Sequence, residues 1–362
     1  MNKQRLDARL RQEQRLALFG RMRMAEWIEM PERDFAREIE RLEKDELFRR
    51  LYFGSGQRAG AIRRQRWPRA RFAGIGELNE RVTAGGGERV KVEERLEDQG
   101  EIAETIRRLG RENFERYFLY AEEALPLSEI AKRTGLDEAA IKAINDFLVE
   151  IGAESEFSSL PRASGGVGCY CVARLTVVDE EPVFEFFSPH WARGLYQIRY
   201  DIIEQMKDTS ELVGGDVKRL PNLLKRIETI NLRQSTMFRV LETLSKVQVG
   251  YLKTRRDDLK RPISLRMLAK RLDLAPSTVS RALSERSVRL PWDKEAPLIE
   301  LLPGRRRQLR LILNRWLSED ASPTDAALTS RLKQEYGIAV SRRTVNAVRH
   351  ELRPGGTRRA SP

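Results

Sequence analysis

Residues 265–283 read LRMLAKRLDLAPSTVSRAL, a pattern typical of two short helices joined by a tight turn. The apolar positions that would pack between these helices are Leu268, Ala269, Leu274, Val279 and Leu283. Asp273 stands where the first helix should end, and Leu274 is placed to fill the corner between the helices. The segment therefore predicts a helix-turn-helix unit.

The same skeleton recurs twice in the chain, as an internal repeat would. In residues 128–144, SEIAKRTGLDEAAIKAI, the spacing from Leu136 to Ile141 equals the spacing from Leu274 to Val279. In residues 328–352, LTSRLKQEYGIAVSRRTVNAVRHEL, Gly337-Ile338 forms the corner, and the second helix is expected to start near Ser341. Three helix-turn-helix units are therefore predicted.

The second helix of the 265–283 unit carries the residue types that contact DNA. Ser277 is predicted to be its N-cap, and the side chains expected to face DNA are Ser277, Thr278, Ser280 and Arg281. The alternative is a helical hairpin with a purely structural role. The 128–144 copy places Asp137 and Glu138 at the equivalent positions, which favours contact with a protein.

The C-terminal copy has a more basic second helix. Its candidate DNA-binding residues are Arg342, Arg343, Thr344, Asn346 and Arg349. An arginine fork can bind O6 and N7 of guanine with two hydrogen bonds, so adjacent arginines at a helix start are suited to a G-rich sequence. The alternative is a basic helix end that contacts phosphates only.

Charge is unevenly distributed along the chain. The protein has 67 Lys and Arg against 54 Asp and Glu, for a net charge of +13. Residues 251–362 contain 25 basic and 12 acidic residues, so the whole excess lies in this last third. Such a segment is typical of a protein that binds a polyanion, although a solvated basic surface is the alternative.

The fold class predicted from the full chain is mainly α, a multi-module helical protein with helix-turn-helix units and one short β-hairpin. The hairpin is expected on either side of residues 179–182, and the chain from Trp191 onward is expected to be helical apart from turns. The expected divisions are an N-terminal helical region at 1–53, a basic and Gly-rich linker at 54–90, and helical domains at 91–250, 251–303 and 304–362.

Several function classes lack support in the sequence. The polar start and the absence of a long apolar run predict a cytoplasmic protein without a membrane partner. Cys169 and Cys171 are expected to be reduced thiols, and His190 and His350 belong to no catalytic or metal-binding motif. No catalytic residue, metal or cofactor is therefore predicted.

The segment SRRTVNAVRH at 341–350 resembles the signature box of sigma-54 factors, which usually reads close to ARRTVAKYRE. Residues 264–291 are similar to that family's upstream helix-turn-helix, residues 221–252 to the helices before it, and residues 14–47 to its activator-responsive region. Arg342, Arg343, Thr344, Val345 and Arg349 match the box.

The resemblance implies a transcription initiation factor that binds core RNA polymerase and directs it to promoters of the −24/−12 type. The box would recognise the upstream GG element, and the 265–283 unit would lie near the downstream element. The N-terminal region would hold a closed complex until an AAA+ activator that hydrolyses ATP remodels it. The activator-responsive residues would include Leu16, Leu18, Met22, Met24 and Ile28.

The box also departs from the family pattern, since Asn346, Ala347, Val348 and His350 replace Ala, Lys, Tyr and Glu. These changes imply a shifted promoter preference. A related regulator that binds DNA without serving polymerase is the first alternative function. A nucleic-acid-processing enzyme is the second, but it would need grouped carboxylates or a nucleophile, and no such motif is present.

Overall fold

The computed structural model describes residues 25–54, 58–73, 102, 104–155, 169–209, 211–212, 214–319, 323–336 and 338–352, with the backbone alone for 151–155 and 319. Residues 25–29 and 104–109 are helical. The labelled helices are α1 (Glu32–Glu43), α2 (Glu46–Phe53), α3 (Arg111–Phe114), α4 (Leu127–Thr134), α5 (Glu138–Ser155), α6 (Pro189–Ala192), α7 (Tyr200–Asp208), α8 (Gly214–Val247), α9 (Val249–Thr254), α10 (Leu265–Leu272), α11 (Pro276–Leu283), α12 (Arg305–Glu319), α13 (Asp325–Tyr336) and α14 (Arg342–Leu352). A π-helical segment, Glu115–Tyr120, continues α3, and 3-10 turns occur at Asp257–Leu259 and Leu298–Leu301.

The strands are β1 (Ile62–Gln65), β2 (Ala70–Phe72), β3 (Tyr170–Val178), β4 (Glu181–Phe186), β5 (Leu195–Ile198), β6 (Arg286–Arg289) and β7 (Glu295–Pro297). β1 pairs with β5 in an antiparallel ribbon, and the other five strands form a sheet in the order β2-β4-β3-β6-β7. The contacts of β2 with β4 and of β3 with β6 are parallel.

The mainly α class is confirmed, and the predicted hairpin is present as β3 and β4. The sheet is nevertheless larger than one hairpin, and the expectation of a helical chain from Trp191 onward is wrong at β5, β6 and β7. These strands have only three or four residues each, and β5 and β6 pair with the distant strands β1 and β3, so they leave little local pattern.

The predicted linker at 54–90 is part of the fold between residues 58 and 73. Trp67 stacks on Phe238 of α8 with ring centroids 4.3 Å apart, and Arg64 is only 2% exposed. Strands β1 and β2 in this segment pair with β5 and β4. Residues 58–73 are therefore part of the fold and do not form a linker, and residues 74–90 lie outside the described part.

Three hydrophobic cores hold the described residues together. The main core joins the five-stranded sheet, α8 and the α10–α11 pair, so the packing does not break at the boundary predicted between residues 250 and 251. A second core lies among α1, α2, β1, β5, α7 and the first half of α8. The third consists of residues from α12, α13 and α14 with Ile338, and it shares no residue with the main core. We call residues 305–352 the C-terminal module. No described helix is long and apolar enough to cross a membrane.

A cluster of buried charged groups joins the end of α1 to the β1–β5 ribbon. Glu43 at the end of α1 is 2% exposed, and its carboxylate accepts hydrogen bonds from Arg64, from Arg193 at 2.9 Å and from the Tyr196 hydroxyl at 2.5 Å. Burial alone would raise the pKa of Glu43, but Arg193 and Arg64 together with Tyr196 lower it to about 2. The carboxylate is therefore ionised at neutral pH.

His190, next to this cluster, makes the stability of the protein depend on pH. Burial lowers its pKa to about 4, and neither ring nitrogen has a hydrogen-bond partner among the described residues. The unfolded chain, in which a histidine has a pKa of about 6.5, binds more protons between these values, so stability falls as the pH drops below about 6.5. We expect the free energy of unfolding to decrease by about 2 kcal/mol between pH 7 and pH 5 through this residue.

Urea unfolding of the full chain at pH 7, 6 and 5 measures this dependence. His190→Leu should flatten the curve in that range, since leucine does not titrate and the ring makes no hydrogen bond that would be lost. If the free energy of unfolding of His190→Leu depends on pH as steeply as that of the wild type, groups other than His190 cause the dependence.

Candidate nucleic-acid interface

Helices α10 and α11 form the predicted helix-turn-helix. Ser264 caps α10, since its Oγ accepts a hydrogen bond from the Met267 amide at 3.2 Å. Asp273 ends the helix in the left-handed conformation with φ 55°, and Leu274 donates its amide to the Ala269 carbonyl at 2.9 Å. Val279 of α11 is fully buried. The local pattern thus positions α11 as the sequence predicted.

The start of α11 differs from the prediction. Its N-cap residue is Ala275 and its first residue is Pro276, so the prediction of Ser277 as N-cap is wrong. Proline has no amide hydrogen and a φ already suited to the first helical position, which moves the helix start two residues upstream. Ser277 and Ser280 are exposed on α11, while Thr278 is half-buried. The Ser277 hydroxyl is therefore not used in a cap.

The fourth predicted residue of this helix, Arg281, contacts the N-terminal segment. Its Nε donates to Glu29 Oε1 at 2.5 Å. Next to this pair, Arg286 donates to the Ile28 carbonyl at 3.1 Å and to the buried carboxylate of Glu32 at 2.8 Å. Residues 28–32 therefore lie against the C-terminal end of α11.

The activator-responsive residues predicted from the sequence are mostly outside the described residues, which is the case for Leu16, Leu18, Met22 and Met24. Ile28 is described, and it is fully buried in the main core. Glu32 binds Arg233 of α8 at 2.9 Å as well as Arg286, and these two arginines lower its pKa although burial alone would raise it. The end of the N-terminal region is thus held to the body by buried ion pairs.

Helices α13 and α14 form the C-terminal helix-turn-helix. Helix α14 starts at Arg342, close to the start predicted near Ser341, and Ser341 caps it, since its Oγ accepts a hydrogen bond from the Thr344 amide at 3.2 Å. Val345 and Val348 are buried in the core of the C-terminal module, whereas Arg342, Arg343 and Thr344 are exposed. Thr344 Oγ1 lies 2.9 Å from Ser341 Oγ, so its hydroxyl is partly engaged in the cap.

The predicted DNA-binding residues of α14 fall into two groups. Arg342 and Arg343 make no hydrogen bond or ion pair with the described residues. Asn346 Nδ2 and Arg349 Nη1 instead donate to the two oxygens of Asp325, at 2.8 and 3.1 Å. These hydrogen bonds lower the pKa of Asp325. Asn346 and Arg349 therefore brace α14 on the first turn of α13 in this state, and Arg342 and Arg343 are the side chains available to a ligand.

The sequence analysis missed the basic start of α12. Arg305 and Arg306 line an open cleft of about 660 Å³ together with Arg343 and Thr344 of α14. Arg305 donates to the Ala339 carbonyl, and Arg306 pairs with Glu351 while its side chain remains 70% exposed. The sequence signal for this basic surface was the run of three arginines at 305–307. The helix dipole disfavours basic residues in the first turn of a helix, so such a run could have indicated a functional role.

The first repeat also folds as two helices, α4 and α5, with Gly135 at φ 72° ending α4. The Asp137 carboxylate caps α5 by accepting the Ala140 amide at 2.7 Å. Two lysines, Lys132 and Lys142, lie near this acidic start. No described arginine occupies the positions at the start of α5 that correspond to the predicted DNA-facing positions of α11 and α14. The electrostatics of this unit therefore differ from those of α11 and α14.

Residues 218–295 match the family model described as "Sigma-54, DNA binding domain", which confirms the resemblance to the sigma-54 family in this region. The matched segment runs from α8 through α10 and α11 to β7. No curated protein matches the chain. Among solved structures, sigmaN of Aquifex aeolicus, crystallised with promoter DNA, matches at 20% identity over 72% of this chain and 81% of that chain, with a TM-score of 0.34.

Proposed function

We infer that this chain, a sigma-54 family member through residues 218–295, is a transcription initiation factor that binds core RNA polymerase and directs it to promoters of the −24/−12 type. The observation that carries this proposal is the pairing of the matched DNA-binding region with a second helix-turn-helix whose first turn exposes Arg342 and Arg343. Two such helices on one chain suit a promoter with two separated sequence elements.

In this proposal, α14 reads the upstream GG element through Arg342 and Arg343, and α11 lies near the downstream element through Ser277 and Ser280. Arg305 and Arg306 add positive charge beside α14, where they would contact the phosphate backbone without reading bases. The chain itself supplies no catalysis, and nucleotide addition belongs to the polymerase.

We also propose that the protein depends on an AAA+ activator, and the contacts of residues 28–32 support this dependence. The Glu29 carboxylate pairs with Arg281, one of the side chains expected to contact DNA. Ile28 and Glu32 anchor this segment in the body of the protein. A segment that covers part of a recognition helix must be moved before Arg281 is free. Mechanical work by an activator on the N-terminal region would provide that movement.

Reconstitution with core RNA polymerase tests the proposal. We expect the purified chain to form a stable complex with core polymerase, and this complex to shift a DNA fragment that carries GG and GC elements. Changing the GG should weaken the shift by at least tenfold. Open complexes should require an AAA+ activator and ATP hydrolysis.

The alternatives give different results in this experiment. Binding of DNA without association with core polymerase would make the chain a DNA-binding regulator of the sigma-54 type. Absence of both interactions would refute the proposal. The variant Glu29→Ala tests the N-terminal contact separately, since it removes the carboxylate that pairs with Arg281 and should increase the affinity for promoter DNA when polymerase is absent.

A further inference from the structure

Asp258 joins the C-terminal module to the rest of the protein. Its carboxylate is 7% exposed and lies in the 3-10 turn that follows α9. Arg256 of the same turn donates to it at 2.8 Å. From the C-terminal module, Arg315 of α12 and the hydroxyl of Tyr336 of α13 also donate to it, the latter at 2.9 Å. Three donors from both sides of the linker thus converge on one carboxylate.

Each side of this junction packs against a hydrophobic core. On the module side, Tyr336 packs against the buried Trp316 with ring centroids 5.9 Å apart. On the body side, Lys260 pairs with Asp257 at 2.7 Å and lies 4.2 Å from the centre of the Tyr251 ring. Tyr251 is buried in the main core. Movement of Asp258 relative to either core would therefore disturb packed side chains.

The covalent connection between the two cores is short and is also held in place. The Gln248 side chain, which is fully buried, donates to the carbonyls of Arg261 and Leu301, both at 2.8 Å. Leu301 precedes the linker residues 302–304 that lead into α12. A single linker would leave the C-terminal module free to rotate, but a second attachment at Asp258 removes that freedom.

We propose that Asp258 is a positioning residue that fixes the separation and relative orientation of α11 and α14, and so sets the spacing between the two DNA elements that the protein recognises. This inference rests on the proposed function. One extra base pair moves the second element by about 3.4 Å and rotates it by roughly 34–36° around the DNA axis. Two recognition helices in a fixed relation can match only one spacing, because binding energy is lost when both cannot engage at once.

Loss of the Asp258 carboxylate should leave the two cores folded. Arg256 and Arg315 have side chains 51% and 28% exposed, so water can solvate both guanidinium groups when the carboxylate is removed. Asp208→Ala is the matched control, since Asp208 is an exposed aspartate at the end of α7, outside the junction.

The test measures binding of the full chain, in complex with core polymerase, to DNA fragments whose GG and GC elements are separated by one additional base pair at a time. We expect the wild type and Asp208→Ala to bind one spacing at least tenfold more tightly than the neighbouring spacings. Asp258→Ala should bind adjacent spacings with affinities within about threefold of each other. Tyr336→Phe, which removes one donor, should give an intermediate dependence.

Several outcomes would overturn the inference. A wild type that binds GG-containing DNA equally well at all spacings would refute it while leaving the proposed function intact, as would Asp258→Ala that retains the full spacing dependence or weakens all spacings equally. A wild type that does not distinguish GG from its variants would refute the proposed function itself.

A measurement without DNA addresses the same inference independently. Nitroxide labels at Lys270→Cys and Lys333→Cys, both exposed, report the distance between α10 and α13 in a background of Cys169→Ser and Cys171→Ser. The distance distribution should be narrow with Asp258 and should broaden in Asp258→Ala. A broad distribution with Asp258 present, or an unchanged width in the variant, would contradict the role of this residue.

Discussion

Glu43→Ala is expected to lower the free energy of unfolding by about 3–5 kcal/mol, because it leaves two buried guanidinium groups without their counterion. Arg64 and Arg193 are 2% and 1% exposed, so neither can recover water without a change in the fold. The Tyr196 hydroxyl also loses its acceptor. Urea unfolding of the full chain at pH 7, followed by circular dichroism, measures the loss.

Glu40→Ala is the matched control for this prediction. Glu40 lies on the same helix and pairs with Lys44 at 2.8 Å, but both side chains are partly exposed. Exposed pairs at this spacing contribute about 0.3–0.5 kcal/mol, so the control should unfold nearly like the wild type. Equal effects of the two substitutions would mean that the buried cluster contributes no more than a surface ion pair.

Arg342→Ala and Arg343→Ala are each expected to reduce discrimination between GG and altered DNA by about 1–3 kcal/mol, or roughly 5- to 150-fold. Both side chains are exposed on the first turn of α14, whereas Val345 and Val348 of the same helix are buried. Discrimination should fall because alanine cannot donate the pair of hydrogen bonds that a guanidinium group can donate to one guanine. Competition binding with GG and GG-altered fragments at fixed salt concentration measures the difference.

Lys218→Ala controls for the loss of one positive charge, since Lys218 is exposed at the start of α8, outside the C-terminal module. It should leave the discrimination unchanged. If an arginine variant instead binds all fragments more weakly by the same factor and shows a lower salt dependence, that arginine contacts phosphate and reads no base.

The helix-turn-helix units could be predicted because their determinants are local. Leu268, Val279 and the residues at the corner lie within one short segment, and their spacing matches the helical period. The start of α14 near Ser341 followed from the same local reasoning. At α11, the prediction of Ser277 as N-cap gave too little weight to Pro276, which is suited to the first helical position.

Features that depend on distant parts of the chain could not be predicted in this way. Arg64 belongs to a basic run that resembles a solvated linker, and only its pairing with Glu43 explains why it is buried. The role of Asp325 in holding Asn346 and Arg349 likewise requires the packing of α13 against α14. Charged residues carry little information about burial until their partners are known.

The parallel pairing of β3 with β6 has a consequence for how the protein folds during synthesis. Tyr170 to Arg174 of β3 pair with Arg286 to Arg289 of β6, and more than 100 residues separate these strands in the sequence. At about 5–20 residues per second, the ribosome needs on the order of 5–20 seconds to make the intervening chain. During that interval the backbone groups along one edge of β3 lack their native partner strand and can pair with another chain. Newly made chains are therefore expected to be most prone to aggregate, and most dependent on chaperones, before α10, α11 and β6 have emerged.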